Sequence, residues 1–360
     1  MRIGIITLQL HRNYGGILQN FALQQILKKL GHNPITIDKR PERNYTRFIL
    51  SRFKYFVYKL LKIETSEIFY FEHTTRSKQF SRFVNKHIAK TASTSQYTEE
   101  ILKKYQCEFL IVGSDQVWRH AFFTKEDIKN YFGAFLKSRK IPIASYAASF
   151  GIDKWDYETD LTSDCKLLAS RFSNISTRED SGVLLCKNLG IDNAIAVLDP
   201  TMLLTSEDYC KVCDMIPRRK DGILFSYLLD YSQENINIVH SIAKDKGLTP
   251  VIVQSEFHAQ LSVEEWLSYY RDCEYVVTDS FHGTVFSILF KKEFNTIINA
   301  VRGGDRFYSL LSRVDLTNRI VSSSGTYNID NITWDNVFAQ LENWRKKSID
   351  YIANTVSTKR

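Results

Sequence analysis

Residues 274–290, Glu-Tyr-Val-Val-Thr-Asp-Ser-Phe-His-Gly-Thr-Val-Phe-Ser-Ile-Leu-Phe, constrain the fold more than any other stretch of the chain. Tyr275, Val276 and Val277 read as a short buried strand, Thr278 to Gly283 as a turn, and Thr284 to Phe290 as a helix packed on the sheet. Such a junction belongs to the carboxyl edge of an open parallel sheet, where ligands bind and helix N-terminal amides favour an anion. Two readings of this turn stay open. Asp279 and Thr284 cap the helix while Gly283 makes the turn and His282 is merely hydrogen-bonded, or His282 does chemistry at the sheet edge.

The same alternation of strand and helix runs through the rest of the sequence. Arg2 to Leu8, Ile17 to Leu30 and Pro34 to Asp38 make a first βαβ unit, with the paired glycines Gly15 and Gly16 ahead of the helix. Their spacing is neither a dinucleotide fingerprint nor a P-loop, so a tight turn and a ligand contact stay equally open. Phe109 to Val112, Ile141 to Ser145, Asn174 to Thr177 and Ala194 to Leu198 are further strands, each followed by a polar cluster. Asp180 or Ser181 is expected to cap a helix that runs through Leu189 and stops at Gly190. A second series has strands at Ile223 to Leu229, Thr249 to Gln254, Glu274 to Thr278 and Phe294 to Ile298. Its helices fall at Gln233 to Lys246, Val263 to Arg271 and Phe307 to Val314, and Trp334 to Thr355 ends the chain as one more. The expectation is an α/β protein of two βα domains facing across a cleft, 1–204 and 215–330, with a helical segment 331–360 that crosses back to the first.

A hydrophobic content of 44% and a charged content of 24% are those of a globular protein, and no run of about 18 apolar residues marks a membrane span. Met1 to Thr7 runs straight into strand-like sequence, without the long apolar region of a signal peptide, so a cytoplasmic protein is expected. The six cysteines are scattered, and Cys210 and Cys213 form a lone Cys-x-x-Cys with no second pair at zinc spacing, so no metal is assigned. A net charge of +8 points to anionic partners. The sequence shows no zinc-finger spacing, RRM signature or other nucleic-acid motif, which leaves anionic lipid or a phosphorylated small molecule.

The stretch 43–62 has six Lys or Arg and no acid, and its pattern makes a basic amphipathic helix with Ile49, Leu50, Phe53, Phe56, Val57, Leu60 and Leu61 on one face. Two roles stay open for it: covering the core of its own domain, or lying on an anionic membrane at the inner face. Residues 65–98 read as a polar helical region carrying Phe69, Tyr70, Phe71, Phe80 and Phe83.

Six segments in order give the chain a recognisable likeness. They are Asn13-Tyr14-Gly15-Gly16-Ile17-Leu18-Gln19, Gly113-Ser114-Asp115-Gln116-Val117-Trp118, Tyr146-Ala147-Ala148-Ser149-Phe150-Gly151, Ser176-Thr177-Arg178-Glu179-Asp180-Ser181, Asp199-Pro200-Thr201 and Thr278-Asp279-Ser280-Phe281-His282-Gly283-Thr284. Together they resemble the polysaccharide pyruvyl transferase family. The resemblance implies two Rossmann-like domains arranged as in a GT-B glycosyltransferase. It implies transfer of an enolpyruvyl-derived group from phosphoenolpyruvate to two hydroxyls of one sugar, as a cyclic ketal, on a glycan acceptor often carried by a lipid. Phosphoenolpyruvate is then a co-substrate and no cofactor is implied.

By position, His282 matches the family's active-site histidine and Arg178 its anion-binding arginine. Ser280 stands where many members carry a donor-holding arginine, and Arg302 or Arg306, one loop away, is expected to supply that charge. Gly283 and Thr284 complete the donor side, while Asn13, Tyr14, Gly15, Gly16, Gln116 and Trp118 are expected on the acceptor side. Histidine titrates near neutrality and suits general acid or base work. Asp115 suits the removal of a proton from an attacking hydroxyl, though a capped turn after a strand explains it equally well. Two other functions stay open: a nucleotide-sugar glycosyltransferase of the same outline, and a glycan-binding relative without turnover.

Overall fold

A computed structural model of the protein describes residues 1–10, 13–40, 79–138, 140–254, 261–298 and 304–357. The basic stretch 43–62, the aromatics Phe69, Tyr70 and Phe71, and Arg302 lie outside these residues. Of the expected helical region 65–98, residues 79–87 are helical and those beyond are irregular.

In the N-terminal half β1 (Arg2–Ile6), α1 (Tyr14–Lys29) and β2 (Asn33–Thr36) are followed by α2 (Glu99–Lys104), β3 (Phe109–Val112), α3 (Lys125–Asn130) and β4 (Ile143–Ser145). After α4 (Thr159–Ala169), β5 (Ser176–Thr177), α5 (Asp180–Cys186) and β6 (Ile195–Ala196), α6 (Ser206–Val212) leads to the C-terminal half. That half runs β7 (Ile223–Leu228), α7 (Gln233–Lys246), β8 (Thr249–Gln254), α8 (Val263–Asp272), β9 (Tyr275–Thr278), α9 (Phe281–Leu289), β10 (Glu293–Thr296) and α10 (Asp305–Ser312). The last helix is α11 (Trp334–Ser357).

The strands form two parallel four-stranded sheets, β2-β1-β3-β4 and β10-β9-β7-β8, and β5 pairs with β6 in parallel. Bridges from Ile143 to Phe172 and from Ala148 to Thr177 hold that pair to the β4 side of the first sheet. Parallel strands need crossovers, and the helices that make them cover both faces. Their ends follow local rules. Ser232 caps α7 by accepting from Asn235 N, and Gly247, at φ 66°, ends it; Ser262 and Glu265 make a reciprocal box at the start of α8.

One apolar core runs through both halves, containing Ile3, Tyr14 and Phe21 of the first and Phe225, Trp266 and Phe286 of the second. Tyr14 stacks on Trp266 at 5.0 Å between ring centroids, and its hydroxyl donates to Leu261 O at 2.7 Å. Burying a ring of this size contributes roughly 4–6 kcal/mol of transfer free energy. The ion pair Arg313–Asp180 between the halves, whose aspartate side chain is 54% exposed, contributes at most about 1 kcal/mol. Packing rather than surface charge therefore joins the halves. Helix α11 crosses back to the first: Arg345 Nε donates to Met202 O at 2.7 Å, Ser348 Oγ accepts from Leu198 N at 3.0 Å, and Tyr351 OH donates to Ser145 O at 3.1 Å. Among the described residues no helix is long and apolar enough to cross a membrane.

Candidate functional site

The turn after β9 is built by its own side chains. Thr278 Oγ1 accepts from Ser280 N at 3.1 Å and donates to Tyr227 O at 2.6 Å, and Ser280 Oγ accepts from Gly283 N as the N-cap of α9. The expected caps were Asp279 and Thr284, and both have other partners. The Asp279 carboxylate accepts from Leu229 N at 2.6 Å and Asp230 N at 2.7 Å, pinning the turn to the end of β7. Thr284 points inward, its hydroxyl 2.7 Å from that of Thr296. A Cβ at Gly283 would lie 2.3 Å from Thr278 Oγ1, so the turn admits only glycine there. Helix α9 therefore starts at Phe281, three residues earlier than expected, and His282 sits in its first turn.

His282 is 7% exposed, lies beside the Phe281 ring, and meets two residues of the other half, Asp199 and Gly15. Its Nε2 is 3.5 Å from Asp199 Oδ2. A Cβ on Gly15, in the first turn of α1, would meet His282 Nδ1 at 2.0 Å. The pair Gly15-Gly16 thus allows close approach of α1 to an imidazole, and a Cβ on Gly16 would lie 3.6 Å from Asp115 Oδ2. Asn13 caps the same helix, accepting from Gly16 N at 2.9 Å.

Arg178 is the electrostatic centre. Its Nη1 donates to Asp199 Oδ2 at 2.9 Å, its Nε lies 3.3 Å from Glu179 Oε1, and its Nη2 lies 3.4 Å from Asp115 Oδ1. Its carbon Cζ lies 4.9 Å from the centroid of the Phe281 ring, and Cζ of Arg306 lies 5.4 Å from the same centroid. Three carboxylates thus surround one guanidinium, with a second close by.

Burial sets how these groups hold their protons. It works to raise the Asp199 carboxyl, but His282, Arg178 and the Thr201 hydroxyl outweigh it and hold Asp199 well below the ordinary carboxylate range. Glu179 goes the other way: burial lifts it, against Arg178, the Ser149 hydroxyl that donates to it at 2.5 Å, and Arg306. Burial, then repulsion from Arg178, pushes Arg306 down to about 10, against the attraction of Glu179 and Asp115. Asp115 carries its side chain from a backbone at φ 77°, a left-handed conformation that costs about 1–3 kcal/mol outside glycine and gathers at functional sites. Its carbonyl accepts from Ser149 N at 2.9 Å, which ties this turn to the one after β4.

The structure thus gathers His282, Asp115, Arg178, Arg306, Gly15 and Gly16 of the expected residues. Trp118 belongs elsewhere: it is fully buried, stacked on Phe132 at 5.0 Å, and its indole donates to Tyr131 O, so an acceptor-side role for its ring is corrected to a core role. The Tyr14 ring is likewise packing between the halves. Gln116 is buried, with its Oε1 accepting from Arg119 at 3.2 Å. Ser280 is a cap, and Arg306 is the cation beside that turn. The structure adds Asp199 and Glu179 to the residues expected from the sequence. The signals were present: an Asx-type turn at Asp199-Pro200-Thr201 after a strand, and a carboxylate adjoining Arg178.

Residues 13–300 match the family model described as polysaccharide pyruvyl transferase. No curated protein matches the chain in sequence. Among solved structures, the UDP-GlcNAc 2-epimerase of Methanocaldococcus jannaschii aligns over 99% of both chains with a TM-score of 0.52 at 12% identity. The S. aureus MnaA–UDP co-structure aligns over 100% of this chain and 98% of its own, with a TM-score of 0.52 at 9% identity. At these identities the likeness is one of fold, a GT-B-like arrangement of two α/β halves.

Proposed function

The chain belongs to the polysaccharide pyruvyl transferase family, and from that premise we propose that it transfers an enolpyruvyl-derived group from phosphoenolpyruvate to two hydroxyls of one glycan sugar, closing a cyclic ketal. The observation that carries this reading is the meeting of an imidazole in the first turn of α9 with two guanidiniums and three carboxylates.

Phosphoenolpyruvate becomes electrophilic at C2 only when C3 is protonated. In the proposed course His282 gives a proton to C3, and the first sugar hydroxyl adds to C2 and returns its proton to His282, directly or by way of Asp115. The C2–O bond to phosphate then breaks, and phosphate leaves with its electron pair. The second hydroxyl adds to C2, and its proton passes to the departing phosphate. Proton transfer by a positioned side chain contributes typically ~10²–10⁴-fold in rate.

The donor's negative charge is met by Arg306, by His282 in its charged form and by the N-terminal amides of α9. Arg178 takes part by exchange: it releases Glu179, whose carboxyl burial pushes toward the neutral form, for an oxygen of the donor. If the acceptor is lipid-linked, the basic stretch 43–62 docks the enzyme on anionic membrane, and salt-sensitive pelleting with anionic but not neutral vesicles is the expected result.

Calorimetric titration with phosphoenolpyruvate beside UDP-sugars tests the donor. Binding of phosphoenolpyruvate alone is expected. Binding of a UDP-sugar with silence toward phosphoenolpyruvate would make the chain a glycosyltransferase and retire the ketal scheme.

A further inference from the structure

An imidazole that moves protons needs a fixed orientation and a fixed tautomer. His282 Nε2 is buried and has no hydrogen-bond partner within normal distance among the described residues, and Asp199 Oδ2 faces it at 3.5 Å. Catalytic hydrogen bonds are often longer than normal before substrate arrives.

The Asp199 carboxylate is unusually well fixed. Its Oδ1 accepts from Thr201 N at 3.0 Å and Thr201 Oγ1 at 2.6 Å, and its Oδ2 accepts from Arg178 Nη1 at 2.9 Å. Rotation about the carboxylate would break all three contacts, so the oxygen facing the imidazole is set independently of His282. On the opposite edge the first turn of α1 comes up to Nδ1 without a Cβ, because Gly15 stands there.

We propose that Asp199 is the positioning residue of His282: it holds the proton on Nε2 and so makes Nδ1 the nitrogen that gives and takes protons during transfer. The inference rests on the transferase reading for its catalytic consequence, but not for its geometry. Nδ1 gives its proton to C3 of the donor and regains one from the first hydroxyl, while Nε2 keeps its own throughout. A carboxylate that accepts from one imidazole nitrogen fixes tautomer and ring orientation in this way.

Two readouts test it on the full chain. In two-bond proton–nitrogen spectra of protein labelled with ¹⁵N-histidine, at a pH of about 8.5 where ordinary histidines are neutral, the signals lost in His282→Gln identify this ring. The wild type is expected as the Nε2–H tautomer, and Asp199→Asn is expected to lose that bias. An Nδ1–H tautomer in the wild type, or an unchanged bias in Asp199→Asn, would overturn the proposal.

The second readout is phosphate release from phosphoenolpyruvate with a panel of methyl hexopyranosides. Asp199→Asn is expected to lose about 10²–10⁴-fold in kcat with KM for the donor within about threefold, and Asp199→Glu to recover part of it. Loss in KM rather than kcat would make Asp199 a donor-binding or structural residue instead. Thr201→Val leaves the charge facing Arg178 and removes only one support. It is expected to lower kcat by about tenfold, and it serves if Asp199→Asn does not fold. A wild type with no turnover on any acceptor and no affinity for the donor would sink the transferase reading, while the spectra still decide the positioning claim.

Discussion

Two helix starts meet at the imidazole, and they are built differently. Helix α1 begins Tyr14-Gly15-Gly16 under an Asn13 cap, and α9 begins Phe281-His282-Gly283 under a Ser280 cap. The first supplies absence of bulk and the second supplies the reactive ring. The same division holds beyond the helices: Asp115, Arg178, Glu179 and Asp199 come from the N-terminal half, His282 and Arg306 from the C-terminal half. Neither sheet alone contains the constellation. The carboxylates are held by turns at the strand ends of the first sheet and of the β5–β6 pair bridged to it, and the group they address arrives on a helix of the other half.

The largest expected effect breaks the N-terminal side. Arg178→Ala leaves Asp115, Glu179 and Asp199 buried around a missing guanidinium. Removing one partner of a buried ion pair costs about 3–5 kcal/mol, so denaturant unfolding is expected to show a loss of that size. A loss under about 1 kcal/mol would mean that the three carboxylates are not held as described. This variant therefore tests the architecture before it tests donor binding, and Arg178→Lys, which retains the charge, is the better probe of the donor's KM.

Breaking the C-terminal side is expected to separate chemistry from stability. His282→Ala is predicted to lose about 10²–10⁴-fold in turnover while remaining folded, as read by circular dichroism and thermal unfolding. Near wild-type turnover in that variant would remove the histidine from the mechanism.

These asymmetries explain what the sequence revealed. Apart from the start of α9, the second series of strands and helices was legible to within about two residues, because its buried apolar runs are bounded by turn residues and α7 and α8 carry side-chain caps at Ser232 and Ser262. Thr249–Gln254 and Gln233–Lys246 came out with the expected ends. The β5–β6 pair, two residues each, was too short to define from a pattern and was expected longer. At the site, the polar turns after strands were visible, but not which side chain in each turn faces the other half. Trp118 looked available because it follows a polar turn, yet its ring packs on Phe132 inside the fold. Asp199 was hidden for the opposite reason: its significance lies in a contact with His282, 83 residues further on, and in an arginine 21 residues earlier. Local sequence encodes turns and caps; it does not encode which two turns meet.

A change on the helix without reactive groups sharpens the comparison. In Gly15→Ala the added Cβ would lie 2.0 Å from His282 Nδ1, far inside contact distance, so the ring or the helix must move. Displacement of about 1 Å at a reacting group costs up to about 10²-fold. Turnover is therefore expected to fall by about 10–100-fold, with donor affinity measured calorimetrically less affected than kcat. Full activity in Gly15→Ala would show that the two helix starts separate in the working enzyme.

The smallest expected effect compares two carboxylates on the same arginine. Asp199 is held down by His282, Arg178 and Thr201 against its burial, so its folded value lies below its unfolded one. Its contribution is present above the ordinary aspartate value and is lost as the pH falls through the folded value. Glu179 is lifted by burial in spite of Arg178, so the folded state favours its protonated form. Ionising Glu179 therefore costs stability, and that cost grows as the pH rises from the ordinary glutamate value toward the folded one. Glu179→Gln keeps an oxygen for the Ser149 hydroxyl and cannot ionise. It is expected to raise Tm by up to a few degrees at neutral pH, with the gain vanishing below about pH 4, where the wild-type carboxyl is protonated in both states. A gain that instead grew on acidification, or a destabilised variant at neutral pH, would mean that Arg178 holds Glu179 as firmly as it holds Asp199, and the exchange of Glu179 for a donor oxygen would lose its basis.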